Sequence, residues 1–202
     1  MNGLSEKAST REKILDKAVE VFALKGYDAA NLTDITEALG STRSPIYYHF
    51  KDKYGLYRAA YELWEEDFSR EMERIFRMEK PILEIYREIL RFCLKSYARY
   101  APNFFVGICT NPVLEEIQVR YYALEKQIFD REVELTRQAA ERGELCGDIN
   151  AELIVGLLFA INDGLRLGLE RRGTGLKPGD IDRLISIQLK GIQTCCCGGE
   201  GD

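Results

Sequence analysis

Residues 26–56 read GYDAANLTDITEALGSTRSPIYYHFKDKYGL, and the fold turns on how two short helical segments in this stretch are joined. Asn31 is a strong N-cap, and Ile35, Ala38 and Leu39 supply an apolar face, so a two-turn helix is predicted from Leu32 to Leu39, stopped by Gly40. After a minimal connection, Ser41 or Thr42 caps a second short helix reaching about His49. Pro45 is tolerated there because the first N–H groups of a helix have no intrahelical acceptor. Helices joined this way form a helix-turn-helix, whose second helix enters the major groove with its N-terminal residues on base edges. Thr42, Arg43 and Ser44 offer one forked donor and two hydroxyls at that helix start, while Tyr47, Tyr48, His49 and Lys53 supply donors for phosphates. A plain helical hairpin would show the same caps and apolar positions, so geometry alone leaves both readings open.

Working outward, Ser9 with Glu12 matches a capping box and opens a helix carrying Ile14, Leu15, Ala18, Val19 and Phe22, ended by Gly26. Downstream, Asp52 caps a long helix towards Met78, with Leu56, Ala60, Leu63, Phe68 and Ile75 facing inward. Pro81 opens a helix to about Tyr100. Residues 101–112, with two prolines, are expected to be irregular or broken helix. Further helices are predicted from Leu114 to Arg142, ended by Gly143, from a cap at Asn150 to about Arg172, and from about Asp180 to Gln193. No stretch alternates with the period of a strand, so the expected fold is all-α, without internal repeats.

The chain has 202 residues, 46% hydrophobic and 30% charged, enough for its own core. Net charge is −5, but residues 1–60 carry nine Lys/Arg against eight Asp/Glu, whereas the remainder carries 19 against 25. Between Ser41 and Arg58, Arg43, Lys51, Lys53 and Arg58 face only Asp52, a basic patch on an acidic body. The apolar-rich stretch from Leu153 to Leu169 is broken by Asn162, Asp163 and Arg166, which argues for a buried helix rather than a membrane span. The N-terminus lacks the apolar run of a secretory signal, so a cytoplasmic location is expected. With one histidine, His49, and scattered Cys93, Cys109 and Cys146, neither a metal site, a cofactor nor a catalytic constellation is expected, and the chain does not read as an enzyme. Cys195, Cys196 and Cys197 could bind a soft metal or sense oxidants, but adjacent residues supply a tetrahedral site poorly; a frayed terminus is the plainer reading.

The run from Gly26 to Leu56 resembles the DNA-binding signature of the TetR (tetracycline-repressor-like) family, in Gly40 followed by a polar helix start and then Ile46, Tyr47, Tyr48, His49, Phe50, Lys51, Lys53 and Leu56. The resemblance implies an N-terminal three-helix helix-turn-helix domain over residues 1–52. It implies a larger helical effector-binding and dimerisation domain over 53–194, with a disordered Cys/Gly tail expected over 195–202. It implies that Arg43, Ser44, Pro45 and Tyr47 face the bases, that Tyr48, His49 and Lys53 touch phosphates, and that Asn31, Leu32 and Thr33 approach the backbone. Thr36, Ser41 and Pro45 depart from the family's usual residues. Pro45 has no N–H and can offer only an apolar contact. Phe50 has a ready alternative role as a core aromatic, and Tyr47 is balanced between the two.

A helix-turn-helix alone neutralises few phosphates, so a homodimer on a double-stranded DNA operator is expected. Gly156, Ala160, Gly164 and Gly168 recur every fourth residue, and with Ile185 and Ile192 of the last helix they are the expected dimer interface, forming a four-helix bundle. The resemblance further implies a small-molecule effector, for which Phe105, Tyr121 and Asn162 are the chosen pocket residues. The reading is a dimeric transcriptional regulator, a repressor released by its effector; the alternative is an effector-independent DNA-binding or protein-partner factor on the same fold.

Overall fold

The computed structural model describes residues 9–100, 103–145, 150–172 and 178–197, and the side chains of all these except 97–99, 166–172, 178 and 193–197. Among the described residues there are nine α-helices, a 3-10 turn at Pro112–Leu114 and no strand, as the absence of period-two alternation requires. They are α1 (Thr10–Ala29), α2 (Leu32–Leu39), α3 (Ser44–Phe50), α4 (Lys53–Phe76), α5 (Ile82–Tyr100), α6 (Asn103–Thr110), α7 (Glu115–Glu141), α8 (Ala151–Arg172) and α9 (Pro178–Cys197).

Local chemistry sets most of these boundaries. The Ser9 hydroxyl accepts from the Glu12 N–H at 3.2 Å while the Glu12 carboxylate accepts from the Ser9 N–H, satisfying two donors that the first turn leaves over. Gly26, at φ +73°, breaks α1 three residues before its end. Asn31 and Asp34 make the same reciprocal box on α2, and Gly40, in the left-handed region, closes it. Asp52 caps α4 through Gly55 N–H at 2.7 Å, and Asn150 caps α8 through Leu153 N–H at 2.9 Å.

The chain divides into two compact units. The first comprises the described residues up to Asp67 together with Tyr100–Gln118, the second Phe68–Arg99 together with the described residues from Val119 onward. The sequence-based division at 52/53 falls at the start of α4, a helix that runs from the first unit into the second.

In the first unit α1, α2 and α3 close over Ile14, Ala18, Phe22, Ile35, Ile46 and Phe50, and α6 packs chiefly on α1. Residues 103–110, expected to be irregular or broken helix, form two regular turns because Phe104, Phe105 and Ile108 bury one apolar face; the helix ends before Asn111. Tyr57 of α4, fully buried, joins the helices. Its ring stands 5.0 Å from those of Phe22 and Tyr27 and 5.2 Å from that of Phe104, and its hydroxyl donates to the Phe104 carbonyl at 2.5 Å. Burial pushes the Tyr57 phenol well above its usual pKa, so it stays a donor.

In the second unit Met72, Ile75, Ile82, Ile85, Ile89, Leu90, Ile128, Leu135 and Leu158 are buried, and Tyr86 and Thr136 join their hydroxyls between α5 and α7. Val133 packs with Ala151 and Val155, and Phe129 meets Phe159 with ring centroids 5.3 Å apart, so α7 and α8 run antiparallel. Helix α9 extends beyond the expected Gln193 through Cys197; the side chains of Cys195, Cys196 and Cys197, the surroundings of Gly168, Cys146, and the tail from residue 198 lie outside the described residues.

Candidate nucleic-acid interface

The turn between α2 and α3 is one to two residues longer than the sequence suggested. Neither Ser41 nor Thr42 caps α3; Arg43 occupies the cap position without a side-chain cap and the helix begins at Ser44. With Arg43 at the cap position, Pro45 stands within the first turn of α3, where its missing N–H leaves no intrahelical hydrogen bond unmade. The Arg43 guanidinium instead donates to the Thr33 hydroxyl and links the starts of α2 and α3. Thr36, not the expected Ala38, shares the buried face of α2 with Ile35, its hydroxyl donating to the Thr33 carbonyl at 3.0 Å.

On α3 the division of labour is clear. Ile46 and Phe50 are buried, whereas Thr42, Arg43, Ser44, Tyr47 and Tyr48 are exposed, Tyr48 at 85%. Pro45 and His49 are half-buried, and the His49 and Tyr48 rings meet edge to face at 4.9 Å. Tyr47 and Tyr48 are thus the large side chains that α3 leaves exposed.

Lys53 is placed differently from a free phosphate contact. Its ammonium donates to the Asp28 carbonyl at 3.2 Å and lies 4.5 Å from the centre of the Tyr27 ring. Burial lowers its pKa, and Asp28 and Asp34 oppose that shift. The half-buried Lys53 thus ties the start of α4 to the end of α1, at the margin of the exposed α3 face.

Two determinants of this site escaped the sequence reading. Lys51 has φ +70°, and Asp52 N–H donates to the Phe50 carbonyl at 2.9 Å, a sharp reversal between α3 and α4. Gly55 makes the reversal feasible, because a Cβ there would stand 2.0 Å from the Phe50 carbonyl oxygen. The dipeptide Tyr54–Gly55 just inside a helix was the available signal, since glycine is a poor helix former without a steric reason.

Of the remaining candidates, Phe105 is buried in the first unit with its ring 4.9 Å from that of Trp64, and Tyr121 and Asn162 are buried in the second. Ile185 and Ile192 are buried in the single chain, whereas Leu153, Leu157 and Ile187 are exposed. A methyl group on Gly156 or Gly164 would meet no described atom within 4 Å, and Ala160 is exposed. No helix among the described residues is long and apolar enough to cross a membrane, and none of their His, Cys, Asp and Glu groups could hold a metal ion.

Residues 14–60 match the family model described as bacterial regulatory proteins, tetR family. The HTH-type transcriptional regulator AcrR of Shigella flexneri is 38% identical over 92 residues, 45% of this chain and 43% of that protein. With AcrR and one further curated relative the match spans 43% and 51% of their lengths, so the chain covers about half of each. Among solved structures, a cysteine mutant of the TetR family regulator CifR, complexed with 26-bp operator DNA, superposes with a TM-score of 0.71 at 20% identity, covering 91% of this chain and 97% of that one. The transcriptional regulator FadR of Bacillus subtilis, in complex with stearoyl-CoA, superposes with a TM-score of 0.64 at 19% identity, covering 88% of this chain and 95% of that one. The matched segment contains α3 with its exposed face: residues 14–60 are similar to the tetR family of bacterial regulatory proteins, and the all-helical fold superposes on solved structures of that kind.

Proposed function

We propose that this protein is a dimeric transcriptional repressor that binds a double-stranded operator through α3 and leaves it when a small molecule occupies the second unit. The observation that carries the DNA-binding reading is the two-faced α3: Ile46 and Phe50 anchor it while Arg43, Ser44, Tyr47 and Tyr48 stand clear of the core. Arg43 and Ser44 supply base-edge donors and acceptors, and Tyr47, Tyr48 and His49 supply phosphate donors along the same helix. CifR's complex with operator DNA supports the same use of the fold.

Dimerisation is supported by the face of α8 and α9. Leu153, Leu157 and Ile187 are large exposed apolar side chains, and the open Gly156 and Gly164 leave room for a neighbouring backbone. The effector reading is supported by polar groups sealed inside the second unit, described below, and by FadR's complex with stearoyl-CoA.

The test is a mobility-shift assay on the DNA flanking the gene, repeated with a compound library to detect release. Retarded complexes that a compound dissolves support the proposal. Absence of any sequence-selective complex would refute operator binding, and a complex that no compound dissolves would refute effector control.

A further inference from the structure

Glu132 lies in the middle of α7, 3% exposed, and among the described residues no hydrogen bond or cation reaches its carboxyl group. Only its backbone carbonyl is used, by the Thr136 hydroxyl at 2.7 Å. Burial alone pushes its pKa up to about 8, and it stands close enough to Tyr86 and Cys93 of α5 to raise theirs; Asp163 of α8 acts on the same Cys93 thiol. An isolated acid in an apolar interior is costly to folding, and a buried polar group without a partner calls for one.

A second unsatisfied group faces the same helix pair. Asn162 of α8 is 8% exposed, and its side-chain carbonyl oxygen is buried without a hydrogen bond. Glu132 follows Phe129 by three residues on α7, and Asn162 follows Phe159 by three on α8, so each polar group shares a helix face with one ring of the contacting pair. Because the helices run antiparallel, Glu132 and Asn162 lie to opposite sides of the Phe129–Phe159 contact. One end offers a carboxyl group, the middle aromatic surface, the other end an acceptor. No set of these side chains could hold a metal ion, so a single ion does not answer the arrangement.

We propose that the second unit recognises an aromatic organic cation, with its ammonium on Glu132, its ring at Phe129 and Phe159, and a distal hydrogen-bond donor on the Asn162 side-chain oxygen. The proposal rests on the effector reading above and names the chemical class of that effector. An ammonium beside the carboxyl favours its ionised form, so binding drives one proton from Glu132 to solvent while the amine keeps its own. The new ion pair forms in a low-dielectric site where charge-assisted hydrogen bonds are strong.

The test uses the full chain and four probes: tyramine, 2-phenylethylamine, tyrosol and 4-hydroxyphenylacetate, which vary the charged end and the distal hydroxyl on one scaffold. In calorimetry, tyramine should bind about tenfold or more tighter than tyrosol and 4-hydroxyphenylacetate, and tighter than 2-phenylethylamine. Buffers of different ionisation enthalpy should reveal about one proton released per tyramine at pH 7 and none with tyrosol. Glu132→Gln, which keeps shape and removes the charge, should lower tyramine affinity about tenfold or more and leave tyrosol unchanged. Equal affinities for tyramine and tyrosol, an insensitive Glu132→Gln, or no proton release would overturn the assignment; the wild-type proton count decides it even if the variant does not fold. Binding of none of the four also overturns the class. If library compounds still release the operator, the effector reading survives that failure; if none does, both fall.

Discussion

The Arg43 guanidinium donates a hydrogen bond to the Thr33 hydroxyl, so the first turns of α2 and α3 are fastened together by two side chains at the exposed edge of the first unit. Arg43 is thereby held, before any DNA arrives, at the start of the helix proposed to enter the groove. Pre-ordering a long side chain lowers the entropy lost on binding.

Arg43→Ala is expected to cost about 1–3 kcal/mol against the preferred operator and to relax selectivity at one base pair. Thr33→Val, which removes the hydroxyl without shrinking the side chain, should weaken every duplex alike. Anisotropy titrations on an operator and its single-base variants separate the two. A uniform loss for Arg43→Ala would make Arg43 a phosphate contact.

Gly55→Ala should destabilise the first unit, since the added methyl would meet the Phe50 carbonyl 2.0 Å away and the Phe50–Asp52 reversal would have to open. Overpacking of this kind typically costs about 1–3 kcal/mol. The variant should melt earlier and lose operator binding at temperatures where the native protein binds. An unchanged melting curve would mean that the α3–α4 reversal is soft.

Glu132 makes stability fall with rising pH. Its folded pKa near 8 lies above the ordinary glutamate value of 4.5, so between these values the folded chain keeps a proton that the unfolded chain has lost. Stability is therefore highest, for this group, below about pH 4.5 and declines up to about pH 8. The Cys93 thiol and the Tyr86 hydroxyl, pushed up to about 12, both stay protonated across that window. Glu132→Gln should melt higher than the native protein at pH 8, by an amount on the order of a few kcal/mol, and show a flatter profile. Parallel thermal melts from pH 5 to 8 check this; identical slopes would mean that Glu132 is solvated.

Gly164→Leu should disrupt the proposed dimer, because the open side of Gly164 would then carry a large side chain where a partner backbone is to approach. Sedimentation should show monomers with weakened operator binding and retained helicity. A dimeric variant would move the interface off this stripe.

Much of this was legible in the sequence where local chemistry decides. Ser9 with Glu12, Asn31 with Asp34, Gly40, Asp52 and Asn150 fix helix ends through bonds spanning only a few residues. The start of α3 was less legible, because Ser41 and Thr42 are both good cap residues while the helix starts at Ser44 behind an Arg43 that has no side-chain cap. Tyr57 as a hub, and the helicity of Asn103–Thr110, depend on packing between segments far apart in the chain. Glu132 was hidden in a charged run, yet it falls four residues after Ile128 and three before Leu135, on the buried stripe of α7. The contacts of Lys53 with Tyr27 and Asp28 were not legible, because they join residues 25 or more positions apart in the chain.

The central claim, that α3 carries operator binding, is tested most directly by the affinity for a selected operator duplex across a salt series. Each neutralised phosphate contributes a log–log slope of about −0.9, so a dimer holding three or four phosphates per subunit should give a slope of several negative units, with a tight low-salt complex. Affinity that is flat in salt, or equal for the selected duplex and scrambled DNA of the same length, would contradict the account.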